Sequence, residues 1–178
     1  MSDKPLDKTT QVLEELKRIV RAMDLERRRK FLEWQEIQNK YLQWEQTFYP
    51  KKLRKYSRGE IVYAHFGFNV GAEFGGTHYG VVVEDNEKSA GNVMVIPLSS
   101  LKPGQTEADV HRNDVYLGTI SDLNSKEAFA IVRQMRPISK LRIQQPKRAT
   151  DNVFRLSDDQ LSKIDRKIGS RLTRLHFE

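Results

Sequence analysis

Apolar positions change their period about a third of the way along the chain. From Lys8 to Phe48 there is neither Gly nor Pro. Val12, Leu16, Ile19 and Met23 recur there at helical spacing, and Phe31, Trp34, Ile37, Tyr41, Trp44 and Phe48 repeat the pattern further on. Each set draws an apolar stripe along one helical face. Arg27, Arg28, Arg29 and Lys30 interrupt the stripe. That leaves two helices or one long helix with an exposed basic middle, and the absence of a breaker residue favours the single helix. Tyr49-Pro50 ends it, because the residue before a proline is pushed out of the α region. Lys51 to Ser57 then reads as a short basic linker. A helix carrying such a stripe does not stand free. It packs as a coil between two subunits or across the domain that follows.

From Arg58 the pattern becomes that of strands. Ile61-Val62-Tyr63 opens one after the turn at Arg58-Gly59, and Phe66 to Gly76, with four glycines, reads as a loop. Tyr79 to Glu84 is a buried strand around Val81-Val82-Val83, and Val93 to Leu98 is another, with Pro97 marking an edge, a bulge or the strand's end. Further strands are expected at Asp109 to Leu117 and Glu127 to Met135, separated by a turn or a single helical turn at Leu123 to Lys126. Ser157 is the N-cap of a last helix, with Gln160 at the capping-box position and Leu161, Ile164, Ile168 and Leu172 as its apolar stripe. Short strands, glycine-rich turns and a closing helix predict an α+β fold: a small β-barrel, here residues 57–178, preceded by a helical extension over 1–56.

Charge and composition narrow the function. The 178 residues carry 31 Lys and Arg against 24 Asp and Glu, a net +7. Residues 1–57 hold 14 basic and 9 acidic side chains, so most of the excess lies in the extension. A basic chain favours an anionic partner, nucleic acid first. With no Cys and only four His, a disulfide framework, a thiolate nucleophile and a Cys-based zinc site are excluded, and no metal or cofactor is expected. The N-terminus lacks the apolar core of a signal peptide and no run is long enough to span a bilayer, which predicts a cytoplasmic protein.

Four blocks resemble the MazF/PemK/Kid toxin family. They are Arg58-Gly59-Glu60-Ile61-Val62-Tyr63 with the loop Gly71-Ala72-Glu73-Phe74-Gly75-Gly76 and the strand after it; Val93 to Ser100; Arg133-Gln134-Met135-Arg136-Pro137-Ile138-Ser139-Lys140; and the closing helix from Leu156. In order, they cover about residues 57–173, leaving the extension outside. The resemblance implies an SH3-like barrel of the CcdB/Kid/MazF type, a homodimer, a cognate antitoxin, and metal-independent, sequence-selective cleavage of single-stranded RNA. In that chemistry the ribose 2′-hydroxyl attacks, leaving a 2′,3′-cyclic phosphate and a 5′-hydroxyl. It needs a base for the 2′-proton, a proton for the departing oxygen, and donors for the charge building on phosphorus.

Transferred residue by residue, the resemblance puts His78 where many members carry Arg. An imidazole can exchange a proton near neutrality, which a guanidinium does not do readily, so His78 is the candidate acid–base residue. Ser99 falls at the catalytic hydroxyl position, with Ser100 as the adjacent alternative. Glu73 is a candidate to orient a catalytic group. Arg133 stands where several members have an acidic residue, which relocates the proton chemistry to His78 and makes Arg133 a phosphate clamp. Arg58, Arg136, His111 and Arg112 are candidate RNA contacts, and Phe74, with Phe66 and Phe68, can stack on unpaired bases. Two non-enzymatic alternatives remain on the same barrel. One is a gyrase inhibitor of the CcdB type, disfavoured because both tryptophans, Trp34 and Trp44, lie in the extension. The other is a binding module that has lost catalysis.

Overall fold

A computed structural model describes residues 7–123 and 125–172. The chain divides into two compact units, Met1–Trp44 and Glu45–Glu178.

The first unit holds α1 (Lys8–Ala22) and α2 (Leu25–Trp44), so the single long helix expected from the sequence is two. The break falls at Met23-Asp24, without Gly or Pro. Met23 is extended (φ −66°, ψ 149°), and the Asp24 carboxylate accepts a 2.9 Å hydrogen bond from Arg27 N, capping α2. Arg28 reaches back to the other side of the joint. Its guanidinium donates to the Val20 and Met23 carbonyls, both at 3.0 Å, and to that of Arg21. Carbonyls left open at the end of α1 and an amide left open at the start of α2 are thus met by side chains within eight residues. Asp24 and one residue of the basic run, Arg28, carry the joint that the run's charge disguised. In α2 the rings of Trp34 and Tyr41 lie 6.3 Å apart and those of Tyr41 and Trp44 5.8 Å apart. Tyr41 is buried, whereas Trp44 is half exposed. Helix continues past Trp44 only as a 3-10 turn, Glu45–Thr47.

The second unit is an antiparallel sheet with one α-helix. Its strands are β1 (Ile61–Gly67), β2 (Gly76–Val82), β3 (Asn92–Ser100), β4 (Val115–Thr119), β5 (Glu127–Ala130), β6 (Arg136–Ser139) and β7 (Ile143–Gln145). The hydrogen-bonded path runs β4-β5-β3-β2-β1-β7, with β6 also on β3. Phe66, expected in a loop, extends β1. The two later strand regions are shorter than expected: 3-10 turns occupy Glu107–Asp109 and Val132–Gln134. Pro97 lies inside β3, with β2 on one side (Gly80↔Pro97). On the other side β6 pairs up to Val95 and β5 takes over from Leu98. The missing N–H falls at that handover, where the Pro97 carbonyl accepts from Ile131 N at 2.8 Å.

Both faces of the sheet are buried, which explains the unbroken Val81-Val82-Val83 run. Ile61, Val81, Ile96 and Leu98 join β4, β5 and α3 (Asp158–Leu172) in one core cluster. Val62, Val82 and Val95 join Tyr56, Phe66 and Ile143 in a second. Ile164 of α3 is fully buried in the first. The predicted capping box is present: Gln160 N donates to Ser157 Oγ at 3.3 Å and Ser157 N to Gln160 Oε1 at 3.0 Å. The Gln160 amide also donates to the Leu117 and Thr119 carbonyls at 2.8 and 3.1 Å, tying α3 to β4.

The basic linker is part of this unit. Tyr56 is 1% exposed and its hydroxyl donates to the Pro146 carbonyl at 2.9 Å. Burial pushes its pKa up to about 12. The Glu60 carboxylate, 4% exposed, sits between Arg54 and Arg155, both at 2.8 Å. Lys140, 2% exposed, closes the turn between β2 and β3 by donating to the carbonyls of Glu87 and Lys88 at 3.0 and 3.3 Å. Burial lowers its pKa.

Candidate active site

The loop between β1 and β2 delivers His78. Gly75 and Gly76 make its return possible. A Cβ on Gly75 would stand 2.5 Å from the Gly67 carbonyl oxygen, and Gly76 has φ +84° with the His78 imidazole packed over it. The rest of the loop is anchored by side chains. Asn69 Nδ2 donates to the Phe66 and Phe74 carbonyls at 3.1 and 2.7 Å. Arg136 Nη2 donates to the Phe74 carbonyl at 2.7 Å, and Gln134 Oε1 accepts from Phe74 N at 3.2 Å. Gln134 Nε2 also donates to the Ala72 carbonyl at 3.3 Å. Phe74 is therefore fixed against Phe66, with ring centroids 5.4 Å apart, and against the His78 imidazole at 4.7 Å.

His78 is half-buried, and its pKa is held below the ordinary imidazole value. Burial is the main cause, opposed by a hydrogen bond with the Gly75 backbone that favours the proton. The imidazole lines a cleft of 390 Å³ together with Ser99 and Ser100 at the end of β3, Thr77, and the rings of Tyr63 and Tyr79. Alternation along the strands separates the two serines. Tyr79, Val81, Ile96 and Leu98 all belong to the first core cluster, so Thr77 and Ser100 share that face, while His78 and Ser99 fall on the opposite one.

Of the residues expected at the site, His78, Ser99 and Ser100 line this cleft. Phe74 and Arg136 support the loop that presents His78; Arg136 Nη2 donates to the Phe74 carbonyl and to Gln134 Oε1. Arg133 pairs with the buried carboxylate of Asp114, Nε to Oδ2 3.1 Å, while its own side chain is 46% exposed. Glu73 is exposed on the loop and does not line the cleft. Arg58, expected near the groove, does not line this cleft; it donates to the Val83 carbonyl at 2.6 Å and to the Asp165 carboxylate of α3. His111 and Arg112, expected on a strand or groove rim, lie in the turn before β4. His111 Nδ1 accepts there from Asn113 N at 3.2 Å, and the Arg112 carbonyl accepts from Lys167 of α3 at 2.9 Å.

Sequence reasoning did not single out Gln134, Asn69, Asp114, Tyr63 or Tyr79. Gln134 lies within a quoted block, and the tyrosine pair was visible only as two strand residues whose register was unknown. Among the described residues no group of His, Asp and Glu is placed to hold a metal ion, and no helix is long and apolar enough to cross a membrane.

Comparison with solved structures finds crystalline MazF from Deinococcus radiodurans at 16% identity, covering 67% of this chain and 98% of that one with a TM-score of 0.46. It also finds a mycobacterial endoribonuclease in complex with its cognate antitoxin at 14% identity, covering 69% and 99% with a TM-score of 0.46. The D. radiodurans MazE–MazF complex follows at 16%, covering 67% and 96% with a TM-score of 0.44. No curated protein sequence matches significantly. The family model for the PemK-like, MazF-like toxin of type II toxin-antitoxin system matches residues 57–172, most of the chain and nearly all of the second unit. The barrel, its closing helix and the glycine-turned loop before β2 are the parts that this match spans, and the chain belongs to that toxin family.

Proposed function

We propose that this protein is an endoribonuclease that cleaves single-stranded RNA without a metal and that a cognate antitoxin restrains it. The observation that carries the reading is that His78, its proton disfavoured by burial, and Ser99 share one face at the ends of β2 and β3 and both border the cleft, in a chain of the toxin family. His78 takes the proton of the ribose 2′-hydroxyl as that oxygen attacks phosphorus. Ser99, on the face that His78 occupies, donates a hydrogen bond to the phosphorane as its charge builds. Arg133 is the phosphate clamp: paired with Asp114, its side chain is still half exposed, and it precedes the glutamine that grips the catalytic loop. The P–O5′ bond then breaks, water protonates the departing oxygen, and the imidazolium returns its proton to solvent. The products are a 2′,3′-cyclic phosphate and a 5′-hydroxyl.

The test is digestion of a long single-stranded RNA in EDTA, with the new ends identified chemically. Cleavage that persists in EDTA and yields 5′-hydroxyl ends supports the mechanism. Activity that appears only on adding Mg²⁺, or 5′-phosphate ends, overturns it.

A further inference from the structure

The 390 Å³ cleft continues past its aromatic end. Tyr63 of β1 and Tyr79 of β2 are cross-strand partners with ring centroids 5.0 Å apart, and both also line a second cleft of 440 Å³. Phe154 lines that second cleft, together with Gln144 of β7 and Lys147 and Arg148 of the segment that follows it. This segment is held in a turn by Asp151, whose Oδ2 accepts from Lys147 N at 2.7 Å and Arg148 N at 2.9 Å. The carboxylate is thereby committed to the backbone, and the two cationic side chains are exposed. His65 lies two residues beyond Tyr63 on the same strand. Its pKa is lowered mainly by burial and further by the charges of Lys147 and Arg142, so cationic side chains gather around this end of the tyrosine pair.

We propose that the second cleft is a nucleotide subsite for RNA bound in the first cleft, which His78 and Ser99 border at the ends of β2 and β3: the strand crosses the Tyr63–Tyr79 pair, stacks a base on this aromatic step, and lays its next phosphates against Lys147 and Arg148. The proposal rests on the endoribonuclease reading and extends it from the scissile bond to its neighbours. Aromatic faces accept any base, and cations hold the phosphates. An acidic peptide would use the cations and leave the aromatic step unoccupied, so single-stranded nucleic acid is the better match.

The test compares the full chain with a Lys147→Ala/Arg148→Ala double variant, both positions being exposed. A tetranucleotide and a twelve-nucleotide RNA carry the same cleavage site, and a twelve-nucleotide analogue blocked by a 2′-O-methyl group at that site serves for binding. We expect the variant to raise KM for the long RNA about tenfold and to flatten the salt dependence of its binding by one to two ions. kcat and the cleavage of the tetranucleotide stay unchanged. An active variant with unchanged KM and salt slope on the long RNA overturns the subsite while leaving the nuclease intact. If the wild-type protein cleaves nothing, the nuclease reading fails separately and the blocked RNA still decides: weaker binding by the variant supports the subsite, and equal binding overturns it. Equal RNA binding together with weaker binding of a glutamate-rich peptide likewise overturns it, assigning the cleft to an acidic protein segment.

Discussion

At the scale of single residues, the proton chemistry turns on an imidazole that the fold keeps neutral. A general base has to be unprotonated when substrate arrives, and burial gives His78 that form at pH 7. We expect kcat/KM for RNA cleavage to hold level down to about pH 6.5 and to fall below it, the reference imidazole value being ~6.5. His78→Ala should slow cleavage ~10²–10⁴-fold with the fold retained, and Ser99→Ala should slow it ~10–10²-fold. Ser100→Ala should do less than Ser99→Ala, because alternation puts Ser100 on the other face. A Ser100 variant more damaged than the Ser99 variant would reverse that assignment. The same burial makes a stability prediction. His65 and His78 both have folded-state pKa values below the unfolded one, so between those values the unfolded chain binds more protons. Their contribution is therefore complete above pH ~6.5 and is lost as pH falls from there toward the folded values. A urea midpoint lower at pH 5.5 than at pH 7.5, with the difference reduced in a His65→Gln/His78→Gln variant, is the expected result.

At the scale of elements, what could be read from the sequence depended on whether the signal was local. The closing helix was legible because its cap and stripe lie within a few residues of each other, and Val81-Val82-Val83 was legible as a buried strand. The joint at Met23-Asp24 was not, since its makers, Asp24 and Arg28, look like ordinary surface charges until their partners are known. Strands β6 and β7, at three or four residues each, carry too few positions for a period. The site divided in the same way. His78 and the two serines were proposed from two short blocks of family resemblance, whereas the anchoring bonds of Gln134 and Arg136 depend on a loop some sixty residues earlier in the chain. The pairing of Arg58 with Asp165 was not legible, because that partner lies on α3. The Glu60 cluster allows a test of such long-range pairing. Glu60→Ala leaves Arg54, whose side chain is 13% exposed, without its partner, and breaking a buried ion pair from one side costs ~3–5 kcal/mol. Chemical denaturation should register that loss, and a change under ~1 kcal/mol would mean that solvent takes over the role of Glu60.

At the scale of the whole molecule, two truncations locate where the second unit begins. Removing residues 1–44 takes away one compact unit and should leave the other folded. Removing 1–56 also deletes Tyr56, a fully buried member of the second core cluster, and Arg54. That shorter chain should be less stable by ~3–5 kcal/mol, the usual cost of emptying a large aromatic site. Equal melting temperatures for the two truncations would show that the core tolerates the loss. The family match starts at 57, just after the ring that fills this core, so motif boundaries and cohesive boundaries differ here by about a dozen residues. Lys140 offers a way to watch the cohesive unit open. Its amine is sealed in the turn between β2 and β3 and held below its ordinary pKa, so once uncovered it meets an acylating reagent at full reactivity, and while covered not at all. Lys17, half exposed on α1, is modified at the chemical rate throughout. The ratio of the two labelling rates, read by mass spectrometry from intact protein, is then a clock that ticks only when the barrel breathes.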